Sequence, residues 1–118
     1  MTVTGVFVSS KEKRELAEGD VVFAQGETGS QMFGVVSGLI ELRQDGQPVV
    51  LIGPDGTFGE LSIIDHAPRS LTAVAVIPSV VAVIDERTFL YLVHETPMFA
   101  PQVMRALTAR IRQLDVQG

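Results

Sequence analysis

The chain has 118 residues and a formal net charge of −5, a length that suits one domain able to bury roughly two thirds of its unfolded surface without staples. It contains no cysteine, which excludes disulfides, thiolate metal sites and cysteine nucleophiles and fits a reducing compartment. Acidic residues scattered along the chain exclude a protein whose main partner is a polyanion, because phosphate backbones are held by clustered Lys and Arg; a single bound phosphate remains compatible.

The opening stretch MTVTGVFVSSKEKREL lacks the basic start and long apolar region of an export signal, so a cytoplasmic protein is expected. Turn signals then recur at short intervals: Gly19-Asp20, Gly26 to Gly29, Ser37-Gly38, Asp45-Gly46 and Gly53 to Gly56. Between them the residues predict strands at Val21 to Phe23, Met32 to Val36, Leu39 to Arg43 and Val49 to Ile52, with a further strand at Lys13 to Ala17. The longest apolar tract, LTAVAVIPSVVAVI, is broken by Pro78 and Ser79. Each half is too short to cross a bilayer and too β-branched for a helix, so the tract reads as strands Leu71 to Val76 and Val80 to Ile84 around a turn. This many short strands predicts a mainly β sandwich or barrel.

From Asp85 the pattern turns helical. Asp85 is placed to cap a helix starting at Glu86, with Phe89, Leu90 and Val93 facing inward. Thr96 and Pro97 suit the start of a second helix whose apolar stripe is Phe99, Val103, Leu107, Ile111 and Leu114, leaving Arg105, Arg110 and Arg112 on the other faces. The stripe predicts packing against the β-structure, with a homodimer seam as the alternative. No repeat, linker or low-complexity tract interrupts the chain, and one unit spanning 1–118 is expected.

One stretch carries chemistry. In FGELSIIDHAPRS, Phe58 to Ser70, Glu60 follows a glycine at a helix start and Arg69 follows a proline. Helix starts expose N–H groups with partial positive charge and attract anions. Glu60 is itself negative and only accepts hydrogen bonds, so it suits a hydroxyl or amine. Arg69 offers a forked, charge-assisted contact to a phosphate, with Ser70 adding a hydroxyl. A phosphate beside hydroxyls points to a nucleotide.

The order from Leu16 through Gly19-Asp20-Val21-Val22-Phe23, Gly26-Glu27, Gly29, Met32-Phe33, Val35, Gly38 and Ile40 resembles the first half of a cyclic nucleotide-binding domain. FGELSIIDHAPRS resembles the phosphate-binding cassette of that family. The resemblance covers nearly the whole chain, and its implications follow residue by residue. The fold would be an antiparallel β jelly-roll barrel, a double-stranded β-helix spanning about 13–85, with a short cassette helix and two C-terminal helices. Glu60 would take the ribose 2′-hydroxyl and Arg69 the cyclic phosphate. Ser70 and the amides around Gly59, Glu60 and Leu61 would add phosphate contacts, Leu42 and Val49 would lie against the base, and the final helix would form a lid.

In this family a threonine after the cassette arginine favours cyclic GMP, whereas alanine or serine is usual with cyclic AMP, so Ser70 leans towards cyclic AMP. Leu71 departs from the family's more frequent alanine and would narrow the pocket. Binding would draw the C-terminal helices against the β-roll and signal to a separate downstream protein; a chain working alone and a piece of a longer one both stay open. Alternatives are a cyclic GMP binder, a degenerate domain kept for protein contacts, and a cupin-like metal enzyme. The last lacks ligands, since His66 and His94 have no second histidine at ligand spacing. No cofactor, metal or catalysis is expected.

Overall fold

The computed structural model describes Phe7 and residues 10–117, with side chains described as far as Arg112. Among residues 10–117, eight strands and three helices follow in chain order: β1 (Lys13–Leu16), β2 (Val21–Phe23), β3 (Gln31–Ser37), β4 (Ile40–Gln44), β5 (Gln47–Ile52), β6 (Thr57–Phe58), α1 (Leu61–Ile64), β7 (Thr72–Ala75), β8 (Ser79–Asp85), α2 (Glu86–Glu95) and α3 (Phe99–Gln117).

The strands form two antiparallel sheets of four, ordered β1-β8-β3-β6 and β2-β7-β4-β5. Non-consecutive neighbours of this kind are how a jelly roll folds a long hairpin onto itself. The two sheets are not closed into a barrel, which corrects the closed form expected from the sequence. Their inner faces share one core: Leu16, Phe33, Val35, Phe58 and Val81 from the first meet Phe23, Ile40, Leu42, Ala73 and Ala75 from the second. Burial of these side chains is the main force joining the layers, at about 1.5–3 kcal/mol for each large one.

The expected strands all form, with ends differing by one or two residues. The sequence did not announce β6. It is two residues long and pairs only with Phe33 and Gly34 of β3, too short for any alternation to show, yet it delivers the chain to the cassette.

Asp85 caps α2 as expected, accepting a hydrogen bond from the Thr88 amide at 2.8 Å. The buried face differs from the expected one. Leu92 is buried and Phe89 partly so, packed with Met32, Ile84, Phe99 and Val103 in a second core. Leu90 and Val93 are 60% and 38% exposed. Phe89 and Leu92 stand three residues apart on one helical face, and Leu90 and Val93 lie one residue further round.

The last helix begins at Phe99 rather than Pro97. Thr96 instead ends α2, its amide donating to the Leu92 carbonyl and its own carbonyl accepting from the Phe99 amide, both at 2.9 Å. Within the stripe, Phe99 and Val103 are buried and Leu107 packs against the second core, while Ile111 is exposed; the Leu114 side chain lies outside the described residues. The larger correction is Arg110, expected on an outer face and found 9% exposed.

Candidate functional site

The site begins where β6 turns into α1. Gly59 has φ +81°, a left-handed value that costs a side-chain-bearing residue energy and glycine little. A Cβ there would also come within 2.9 Å of Arg69 Nη1. α1 itself is a single turn, opened by Glu60 without any side-chain cap. The loop after it is fastened locally: Ser62 Oγ donates to the Ala67 carbonyl at 3.2 Å, and the Ala67 amide donates to Asp65 Oδ1 at 3.0 Å. His66 in this loop is left-handed, at φ +57°.

Arg69 is held by its backbone and by its head. Its amide donates to the Glu27 carbonyl, and its carbonyl accepts from the Gly26 amide, both at 2.8 Å. The guanidinium donates from Nη1 to the Gly59 carbonyl at 3.1 Å and lies with Cζ 4.1 Å from the centre of the Phe23 ring. Burial pushes its pKa down, and the Glu27 carboxylate opposes that shift; an arginine remains cationic across the working pH range regardless.

Glu60 is buried to 1% exposure, and a buried carboxylate needs partners. It has three donors. Thr57 Oγ1 donates to Oε2 at 2.5 Å. Arg110 of α3 donates from Nη1 to Oε1 at 2.6 Å and from Nη2 to Oε2 at 3.2 Å. Nη2 also donates to the Thr57 carbonyl, and Arg110 Nε is buried without a partner. A second tie holds the same helix nearby, Gln102 Nε2 donating to the Asp55 carbonyl at 2.9 Å. The chain thus supplies a counter-charge to Glu60 from within. Arg110 was missed because nothing in a helical pattern distinguishes a solvated arginine from one whose partner lies fifty residues away.

These groups line one cavity of about 280 Å³, close to the lower end of small-molecule pockets, roughly 300 Å³. Gly59, Glu60, Leu61, Arg69, Ser70 and Leu42 all contribute to its wall. Val49, the seventh residue singled out, packs partly buried against the sheet core and is not among the lining residues. Leu71, Leu107 and Ile111 add apolar wall. The cavity thus combines a guanidinium set over an aromatic ring and a buried carboxylate with mostly apolar surface. Among the described residues no group of three or more His, Asp or Glu could hold a metal ion, and no helix is long and apolar enough to cross a membrane.

The jelly roll thus sets a glycine-glutamate turn and a buried arginine on one small cavity. The cyclic nucleotide-binding domain family matches residues 13–96, and the chain belongs to that family. It is 31% identical over 111 residues to the cyclic AMP receptor protein of Thermus thermophilus, covering 90% of this chain and 51% of the relative. It is 35% identical over 82 residues to the cAMP-dependent protein kinase regulatory subunit of Yarrowia lipolytica, covering 70% of this chain and 22% of that one. A solved structure from a cyclic-GMP-dependent signalling pathway that regulates bacterial phytopathogenesis superposes with a TM-score of 0.70 at 32% identity, covering 85% of this chain and 83% of the other. The chain thus spans about half the length of the first relative and about a fifth of the second.

Proposed function

We propose that this chain binds a cyclic nucleotide in the 280 Å³ cavity and acts as a non-catalytic sensor. The observation that carries the reading is the convergence of Glu60 and Arg69 on that one cavity. A carboxylate can only accept, so it takes the ribose 2′-hydroxyl. The guanidinium takes the cyclic phosphate. Ser70 and the amides of Gly59, Glu60 and Leu61 complete the phosphate contacts, and the base lies on aliphatic wall at Leu42, with Val49 on the adjacent strand β5.

Cyclic AMP is the ligand we assign, on Ser70 and on the names of the receptor and kinase-subunit relatives. Cyclic GMP is the second reading, favoured by the likeness to a structure from a cyclic-GMP-dependent pathway. The output runs through α2 and α3 to a separate protein. Support for this comes from Arg110, which ties α3 directly to the carboxylate assigned to the ribose, so a change at Glu60 is felt by the helix. A ligand shifts such an element only by its differential affinity for two arrangements.

Isothermal titration calorimetry with cyclic AMP and cyclic GMP, on the wild type and Arg69→Ala, tests the reading. Saturable one-to-one binding is expected, weakened by about ten- to a hundredfold in the variant. No heat with either nucleotide, together with an unchanged melting temperature at high ligand concentration, would overturn it in favour of a fold kept for protein contacts. For the output, hydrogen exchange over residues 86–116 is expected to change on saturation. Identical exchange in that region would remove the helices from the mechanism.

A further inference from the structure

An arginine side chain has many rotamers open to it, and a free guanidinium presents its donors in many directions. Arg69 is walled in. A Cβ on Gly29 would stand 2.6 Å from Nη2 and 2.9 Å from Nε, so the Gly29 backbone closes one side; Gly59 closes another, its carbonyl holding Nη1. The Phe23 ring covers a third side, and the side towards the cavity stays open.

Phe23 reaches that place through an irregularity in its strand. Val21 pairs with Val74 and Phe23 with Ala73, so two residues of β2 are set against one of β7. A regular strand would send Val22 and Phe23 to opposite faces; at a bulge the chain bends and re-aims its side chains. Both are buried here, at 9% and 7% exposure. The ring is fixed in turn by Phe33 and Phe58, each 5.9 Å away between centroids, which stack on each other at 5.3 Å. Offset aromatic clusters of this kind are stabilised beyond their area burial. Phe23 is thus packed against two further rings, and one of its faces meets a cation.

We propose that Phe23 is a positioning residue for Arg69: its ring fixes the plane of the guanidinium, so that the donors not used on Gly59 are presented to the cavity in one orientation. This rests on the reading of Arg69 as the phosphate contact and adds to it a second, uncharged residue on which anion affinity depends. Leucine or isoleucine at position 23 would keep an apolar side chain in the core without offering a π face.

The attraction between a cation and a ring is electrostatic, carried by the negative face of the ring. Fluorine drains that face while leaving the ring's shape nearly unchanged. The test incorporates phenylalanine carrying one, two and three fluorines at position 23 of the full chain, with Phe23→Leu alongside, and measures Kd for cyclic AMP and cyclic GMP and the melting temperature of each. Affinity is expected to fall stepwise with fluorine number, by about two- to thirtyfold in total, at a nearly constant melting temperature. Equal affinity across the fluorinated series, with the wild type binding, would overturn the proposal and leave the site reading intact. A loss that follows melting temperature rather than fluorine number would reduce Phe23 to core packing and overturn it also. If the wild type binds neither nucleotide, the site reading fails and this proposal falls with it.

Discussion

Arg110 donates to both oxygens of the Glu60 carboxylate across fifty residues of sequence, and neither group is open to solvent, the side chains being 11% and 0% exposed. A pair like this is not a measure of stability by itself, since desolvation offsets much of the attraction. Removing one partner is different, because the other charge is left buried alone. Arg110→Met is therefore expected to destabilise the fold by about 3–5 kcal/mol in urea denaturation. The double variant Glu60→Gln with Arg110→Met should recover part of that loss, because no unpaired charge remains. A loss below about 1 kcal/mol in the single variant would mean that water reaches the carboxylate, and that α3 is held by Gln102 and its apolar side chains instead.

Gly29 and Gly53 make a matched pair of alanine substitutions. Both lack a positive φ, but a Cβ at Gly29 meets the Arg69 guanidinium at 2.6 Å, whereas at Gly53 it meets nothing within 4 Å. Gly29→Ala should displace the fork and weaken nucleotide binding by roughly ten- to a hundredfold, the scale of one charge-assisted contact. Gly53→Ala should leave binding unchanged and shift stability by less than about 1 kcal/mol. Calorimetric titration of both reads the contrast; equal affinities would show that Arg69 relocates freely.

Most of the strand plan was legible because turns at Gly19, Gly38 and Gly46 interrupt runs of β-branched and aromatic residues. The cassette was legible because Gly59, Glu60 and Arg69 occur in an order few other folds require. What escaped reading depends on three-dimensional neighbours. β6 is too short to have a period. Leu90 and Val93 differ from Leu92 only in helical phase, which is set by what α2 packs on. Arg110 and Phe23 each look ordinary in sequence, one a helix-surface charge and the other a strand hydrophobe, and acquire roles only when the fold sets them against Glu60 and Arg69.

The cap of α2 has a pH signature. Asp85 accepts from the Thr88 amide, and that hydrogen bond holds its carboxyl below the ordinary carboxylate range. A folded-state pKa below the unfolded one means that the unfolded chain binds the extra proton first as pH falls. The contribution is therefore fully present above the unfolded pKa and is lost as pH drops through the folded value. Stability measured by urea denaturation should decline over that acidic window, and Asp85→Asn, which keeps a capping oxygen but has no proton to gain, should lack this component. Identical pH profiles for the two proteins would remove Asp85 from the acid response.

Glu27 is a further charge near the Arg69 guanidinium. It is exposed, its carbonyl accepts from the Arg69 amide, and its carboxylate acts on the Arg69 guanidinium in the direction that stabilises the cation. The same proximity works against a bound anion, because part of the arginine's field is already cancelled. Glu27→Gln keeps the backbone bond and removes the charge, so affinity for cyclic AMP should rise. Exposed charge interactions are worth about 0.2–1 kcal/mol, which converts to a gain of roughly 1.4- to 5-fold. The gain should shrink as salt is raised, since the Debye length falls from about 10 Å at 0.1 M to 3 Å at 1 M. Titrations of both proteins at low and high salt would read it. A gain that persists undiminished at 1 M salt would point to rearrangement of the loop, and a weaker Glu27→Gln protein would mean that the carboxylate serves to hold Arg69 in place rather than to compete with its ligand.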